Sequence, residues 1–166
     1  MKTRISLIII LGVLLLGFSS LALWKSNADT SLASDEPPSK NLAQMLPISA
    51  QATMGGKMIE LEVTTTPQQQ ALGLMYRTSL AHNRGMLFSF APPRLTRFWM
   101  KNVVINLDMI FLRDGEIKAI AANVPPCNTT PCPTYGPPTE IDQVIELRGG
   151  RAAELGLKVG DPVTVK

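Results

Sequence analysis

From residue 46 to residue 166 the apolar and polar positions fall into short alternating runs, broken repeatedly by glycine, proline and Asp-Gly signals. Period-two alternation describes strands with one face buried, and the breaks mark turns. Residues 47–53 and 57–63 read as a hairpin around Met54-Gly55-Gly56, because paired glycines supply the positive φ angles of a tight turn. Thr66, Pro67 and Gln69 form a capping-box signature that predicts a short helix to about Met75. Residues 80–83 read as a loop, and residues 85–90, GMLFSF, as a buried strand that Ala91-Pro92-Pro93 should end. Residues 107–112 and 117–124 flank Asp114-Gly115 and should pair antiparallel. Residues 125–138 form a proline-dense loop, and alternation returns at 141–147. Gly149-Gly150, a helical turn at 151–155 and a closing strand at 163–165 complete the chain. Many short strands with two brief helices predict a mainly β domain, a compact antiparallel β-sandwich or small barrel.

Residues 97–112, RFWMKNVVINLDMIFL, hold the greatest concentration of large side chains and organise the rest. Leu107, Met109 and Phe111 lie on one strand face, with Asp108, Ile110 and Leu112 on the other. A carboxylate on that second face must be paired, hydrogen-bonded or protonated, since desolvating an isolated charge is costly. By position, Lys101 and Arg77 are the expected cations.

The first residues follow a different pattern. Lys2 and Arg4 precede the uncharged apolar run 5–18, and small and polar residues follow it, the layout of a secretory signal. The run can be extended to Trp24, long enough for an uncleaved membrane anchor. Residues 1–25 are therefore a signal peptide or N-terminal anchor, 26–45 a polar tether, and 46–166 a single domain. The expected location is exported, in the periplasm or cell envelope. A net charge of +3 that is scattered along the chain leaves no basic cluster for nucleic acid.

Cys127 and Cys132 are the only cysteines. Placed five positions apart in one loop of an exported chain, they are expected to form a disulfide rather than half of a metal site, since the single histidine, His82, is far upstream. Met75, Met86, Met100 and Met109 invite a Cu(I) reading, but each stands beside large apolar residues and is expected to pack in the core. No metal or other cofactor is expected.

Arg77, Lys101, Asn102 and Asp108 are polar residues set into the most apolar segments, beside Trp99 and Met100. They read either as a ligand pocket with Arg77 or Lys101 holding an anionic group, or as a buried ion pair that fixes strand geometry. The favoured function is a non-enzymatic envelope domain binding a small ligand or an envelope partner through a pocket walled by Trp99 and Met100. The rival is an envelope enzyme, a hydrolase or carbohydrate-active, using Asp108 with Lys101 or Arg77. Ser89 and His82 have no spacing that supports a nucleophile and its base.

GLMYR at residues 73–77, GMLFSF at 85–90, FWMKN at 98–102, LDMIFL at 107–112, VIELRGG at 144–150 and GLKVGD at 156–161 occur in this order. Together they resemble the prokaryotic family called domain of unknown function 192. The resemblance implies a compact, mostly β, often exported domain with no established activity. Val103 stands where that family commonly has threonine, which removes a hydroxyl from the block.

Overall fold

The computed structural model describes residues 42–166. The signal or anchor segment and most of the tether lie outside these residues. Strand β1, Ile48–Met54, turns at Gly55 and Gly56 (φ 53° and 70°) into β2, Lys57–Thr64. Helix α1, Pro67–Leu72, starts at Thr66, whose Oγ1 accepts from the Gln69 backbone while the Gln69 side chain accepts from the Thr66 backbone. Then follow β3, Arg84–Arg94; β4, Phe98–Trp99; β5, Leu107–Arg113; β6, Glu116–Val124; β7, Thr134–Tyr135; β8, Ile141–Arg148; α2, Arg151–Glu154; and β9, Thr164–Val165.

Seven strands make one sheet in the order β6-β5-β8-β3-β2-β1-β9, and β4 pairs with β7 in a separate two-stranded strap. The predicted hairpin β5–β6 is antiparallel, with Asp114 and Gly115 at positive φ (52° and 74°). One pair departs from the antiparallel pattern: β2 runs parallel to β3, because α1 and the following loop carry the chain back across the sheet. The Ala91-Pro92-Pro93 stop is also overridden. β3 continues to Arg94, and its register with β8 slips between Ser89 and Arg94, so the prolines occupy an irregularity where no ladder donor is required. The α1 helix ends at Leu72, earlier than the expected Met75, with Gly73 at φ 49°.

The two outer strands curl toward each other. Glu116 bridges to Pro162, and Ile117 and Val163 donate backbone hydrogen bonds to Asp161 and Gly115. The sheet is thus a nearly closed small barrel. Its interior collects residues from nearly every strand: Met54, Ile59, Leu61, Leu87, Ile110, Leu112, Ile117, Ile145, Leu147 and Val163, with Ala152, Leu155 and Leu157 of the α2 region plugging one end. A second core lies on the outside of the sheet. There Met86, Phe88 and Phe90 of β3, Leu107, Met109 and Phe111 of β5, and Val144 of β8 are covered by Leu74, Met75, Phe98, Met100, Val103 and Tyr135. The two faces of β5 read from the sequence therefore serve two different cores, and every residue from Leu107 to Leu112 is buried.

Cys127 and Cys132 are bridged, and Cys127 packs on the rim of the outer core. Because the closed loop is short and the main sheet is built without it, reduction should lower stability by about 2 kcal/mol or less. Thermal melts with and without reductant check this, and loss of the native far-ultraviolet spectrum on reduction would contradict it. Among the described residues no helix is long and apolar enough to cross a membrane.

Candidate functional site

Asp108 is fully buried, as its strand position requires, but neither expected cation meets it. Its Oδ1 accepts from the backbone N–H groups of Asn123 (2.6 Å) and Gly150 (3.0 Å), and its Oδ2 accepts from that of Ala152 (2.6 Å). The carboxylate joins β5 to the end of β6 and to the first turn of α2. The surrounding glycines follow from this closeness. A Cβ on Gly149 would come within 2.6 Å of the Asn106 Cβ, and Gly150 has φ 83°. Asp108 closes one end of the barrel, and with its lone pairs occupied by three donors it is a structural group.

Arg77 is buried at a different place. Its Nη2 lies 2.5 Å from Glu62 Oε2, its Nε donates to the Gln44 carbonyl, and the same Glu62 oxygen accepts from the Leu46 backbone. Gln44 in turn donates to the carbonyls of Gln69 and Gly73. This pair holds the entry of the chain at Gln44 and Leu46 against α1.

The FWMKN residues divide. Met100 points into the outer core, Lys101 is exposed with Nζ 5.2 Å over the Trp99 ring, and Trp99 stays 47% exposed. Asn102 has φ 58° and its carbonyl accepts from Tyr76, itself at φ 63°. Through that bond the GLMYR and FWMKN segments meet and form a roof over the sheet.

Beneath this roof lies a cavity of about 280 Å³. Its walls are Leu74, Met75, Phe88, Phe90, Phe98, Trp99 and Val103, and Arg94 and Arg97 stand at its mouth. Phe98 holds the walls together, meeting Phe88, Phe111 and Phe90 edge to face at 5.0, 6.0 and 6.5 Å between centroids. Of the six ligand candidates taken from the sequence, only Trp99 lines this space; Met100, Lys101, Asn102, Arg77 and Asp108 do not.

Glu146 supplies the one carboxyl group of the lining. It lies on β8 opposite Met86 of β3 and Met109 of β5, on the outer face with Val144. It is 4% exposed and, among the described residues, makes no side-chain hydrogen bond or ion pair. Burial without a compensating partner pushes its pKa up to about 8, so at neutral pH it is a protonated acid able to donate a hydrogen bond. The four methionines all belong to this core, where their uncharged thioethers cannot stabilise an ionised Glu146. No group of three or more His, Cys, Asp or Glu comes together among the described residues.

Fold and site define a small, nearly closed β-barrel carrying a cavity of mixed apolar and polar lining on its outer face. Residues 50–165 match the family domain of unknown function 192, described as an uncharacterised ACR, and the chain belongs to that family. It is similar to a crystal structure of a protein of unknown function from Novosphingobium aromaticivorans DSM 12444, at 38% identity over 69% of this chain and 82% of that one, with a TM-score of 0.63. A second similar structure, from Sinorhizobium meliloti 1021 and described as a candidate transcription regulator, is 30% identical over 74% of this chain and 98% of that one, with a TM-score of 0.63. No curated protein matches the chain.

Proposed function

We propose that this chain is a non-enzymatic, exported binding domain that holds a small, largely apolar ligand in the outer cavity. The observation that carries the reading is Glu146, a buried carboxyl with no protein partner in the lining of an aromatic-walled cavity. An unpaired buried polar group lowers stability and is commonly found where a ligand supplies the missing partner. A cavity of about 280 Å³ is roughly twice the volume that takes up one benzene ring, which limits the buried part of the ligand to a fragment of about two rings. Export is supported by the basic and apolar start of the chain together with the bridged Cys127 and Cys132, since disulfides persist in oxidising compartments.

The rival enzymatic reading loses its residues. Asp108 is engaged by three backbone donors and Arg77 by Glu62, while Lys101 lies over Trp99 on the surface. A single carboxyl in the lining also lacks the second acid or base that hydrolytic chemistry at such a site requires.

Titrating the 15N-labelled chain with phenol tests the binding reading. Millimolar phenol should shift the amides of Gly73, Leu74, Phe98, Val103 and Glu146, and Val103→Phe, which fills the cavity, should suppress those shifts in a protein that keeps its native spectrum. Shifts spread evenly over the surface, or unaltered in the filled variant, would refute it.

A further inference from the structure

Seven arginines fall among the described residues. Five have a carboxylate partner: Arg77 with Glu62, Arg84 with Glu60, Arg113 with Asp114, and Arg148 and Arg151 with Glu154. The other two are Arg94 and Arg97, and both line the cavity. Arg94 lies over the Phe90 ring, 4.5 Å from its centroid, which orients the guanidinium by its face and leaves its edge donors free. Arg97 donates one N–H to the Gly136 carbonyl, and a guanidinium has further donors to offer. Two oriented cations without a counter-ion among the described residues therefore stand where the cavity opens.

We propose, building on the ligand-binding reading above, that the occupant is a small organic anion with an apolar body. Its carboxylate or similar anionic head sits between Arg94 and Arg97 at the mouth. Its body packs against Phe88, Phe90, Phe98 and Trp99, and a hydroxyl or carbonyl on its buried end meets the Glu146 carboxyl. A planar two-oxygen head suits the fork of a guanidinium.

The charge balance inside the cavity favours the same sign. With Glu146 protonated at neutral pH, the lining carries the two arginine charges and nothing to offset them. The remaining charged groups around Glu146 are already engaged: Arg84 of β3 with Glu60, Arg148 of β8 with Glu154, Asp142 of β8 with the Asp114 backbone N–H, Arg77 of the roof with Glu62, and Lys101 over Trp99. From β5, Asp108 turns to the opposite face and Arg113 pairs with Asp114. A cationic ligand would have to approach past both arginines and ionise Glu146 on arrival. An anionic one meets its counter-ions first.

The test compares three probes of similar body and different head, 4-hydroxybenzoate, phenol and tyramine, by amide shift titration of the 15N-labelled chain at pH 6.5 and pH 9. At pH 6.5, 4-hydroxybenzoate should bind at least roughly ten-fold more tightly than phenol, the effect of one charge-assisted contact, and tyramine most weakly. Ionising Glu146 adds a negative charge at the buried end, so the acid's advantage should shrink at pH 9. In the double variant Arg94→Gln, Arg97→Gln its affinity should fall to the level of phenol in the same variant. If phenol or tyramine binds as tightly as the acid, or the advantage survives in the double variant, the anion inference is overturned while the cavity remains a ligand site. If none of the three shifts the lining amides, both readings fall.

Discussion

Asp108→Asn should destabilise the fold by roughly 3 kcal/mol, because it replaces a two-oxygen acceptor of three backbone hydrogen bonds by a group that can accept at one oxygen only. Whichever way the amide turns, its NH2 faces at least one of the N–H groups of Asn123, Gly150 and Ala152, and that buried donor is left without a partner. Asp108→Ala should cost more, since all three donors lose their acceptor and a cavity opens behind Ile110. The injury is expected at the barrel end that α2 plugs, with the outer cavity keeping its shape. Urea denaturation of both variants measures the effect. A midpoint equal to that of the wild type would mean that water or rearranged backbone satisfies the donors and that Asp108 does not hold the barrel end.

Glu146→Gln should act in the opposite direction. A carboxyl whose pKa rises from 4.5 to about 8 on folding is protonated in both states below pH 4.5, where it carries no penalty. As the pH rises from 4.5 towards 8 the unfolded chain ionises and the folded one does not, so stability falls, and above 8 this contribution levels off. At pH 7 the penalty is on the order of 3 kcal/mol. Glutamine has nearly the same shape and no charge to desolvate. The variant should therefore melt higher than the wild type at pH 7, with little difference at pH 4.5. Parallel melting-temperature profiles for the two proteins across this range would show that Glu146 ionises freely in the fold. A gain in stability is the usual result of replacing a residue retained for binding rather than for packing.

Much of the fold was legible in local patterns because local chemistry determines those parts. Gly55-Gly56 and Asp114-Gly115 turn where positive φ is needed, the Thr66 and Gln69 capping box opens α1, and alternation in β5 assigns Leu107, Met109 and Phe111 to one core and Ile110 and Leu112 to the other. The parallel pairing of β2 with β3 was not visible, since it depends on where the chain returns after α1. Nor did the prolines end β3, because β3 itself bulges between Ser89 and Arg94 and pairs with β8 again beyond them.

The site was harder to see for a specific reason. The burial of Asp108 follows from its apolar strand face, but its partners are backbone groups 15, 42 and 44 residues away, and backbone donors leave no mark in a sequence. Glu146 lies between Ile145 and Leu147, but these point to the opposite face, into the barrel. On its own face it follows Asp142 and Val144, and two acids in three positions resemble a solvent-facing edge. Only the roof formed by the Tyr76 and Asn102 segments buries it. Of the six residues singled out as ligand candidates, Trp99 alone lies in the lining, because the polar candidates are drawn to partners elsewhere in the fold.

The separation of the two cores gives the molecule unusual freedom to change. Residues inside the barrel set how firmly the sheet holds, and those outside it shape what the cavity admits; the strands β3, β5 and β8 are common to both. Exchanges among Ile59, Leu61, Ile110 and Ile145 can alter robustness without altering selectivity, while substitutions at Leu74, Phe90 or Val103 can retune selectivity with the barrel intact. On the proposed binding reading, a chain built on this plan can change its ligand while its scaffold stays the same.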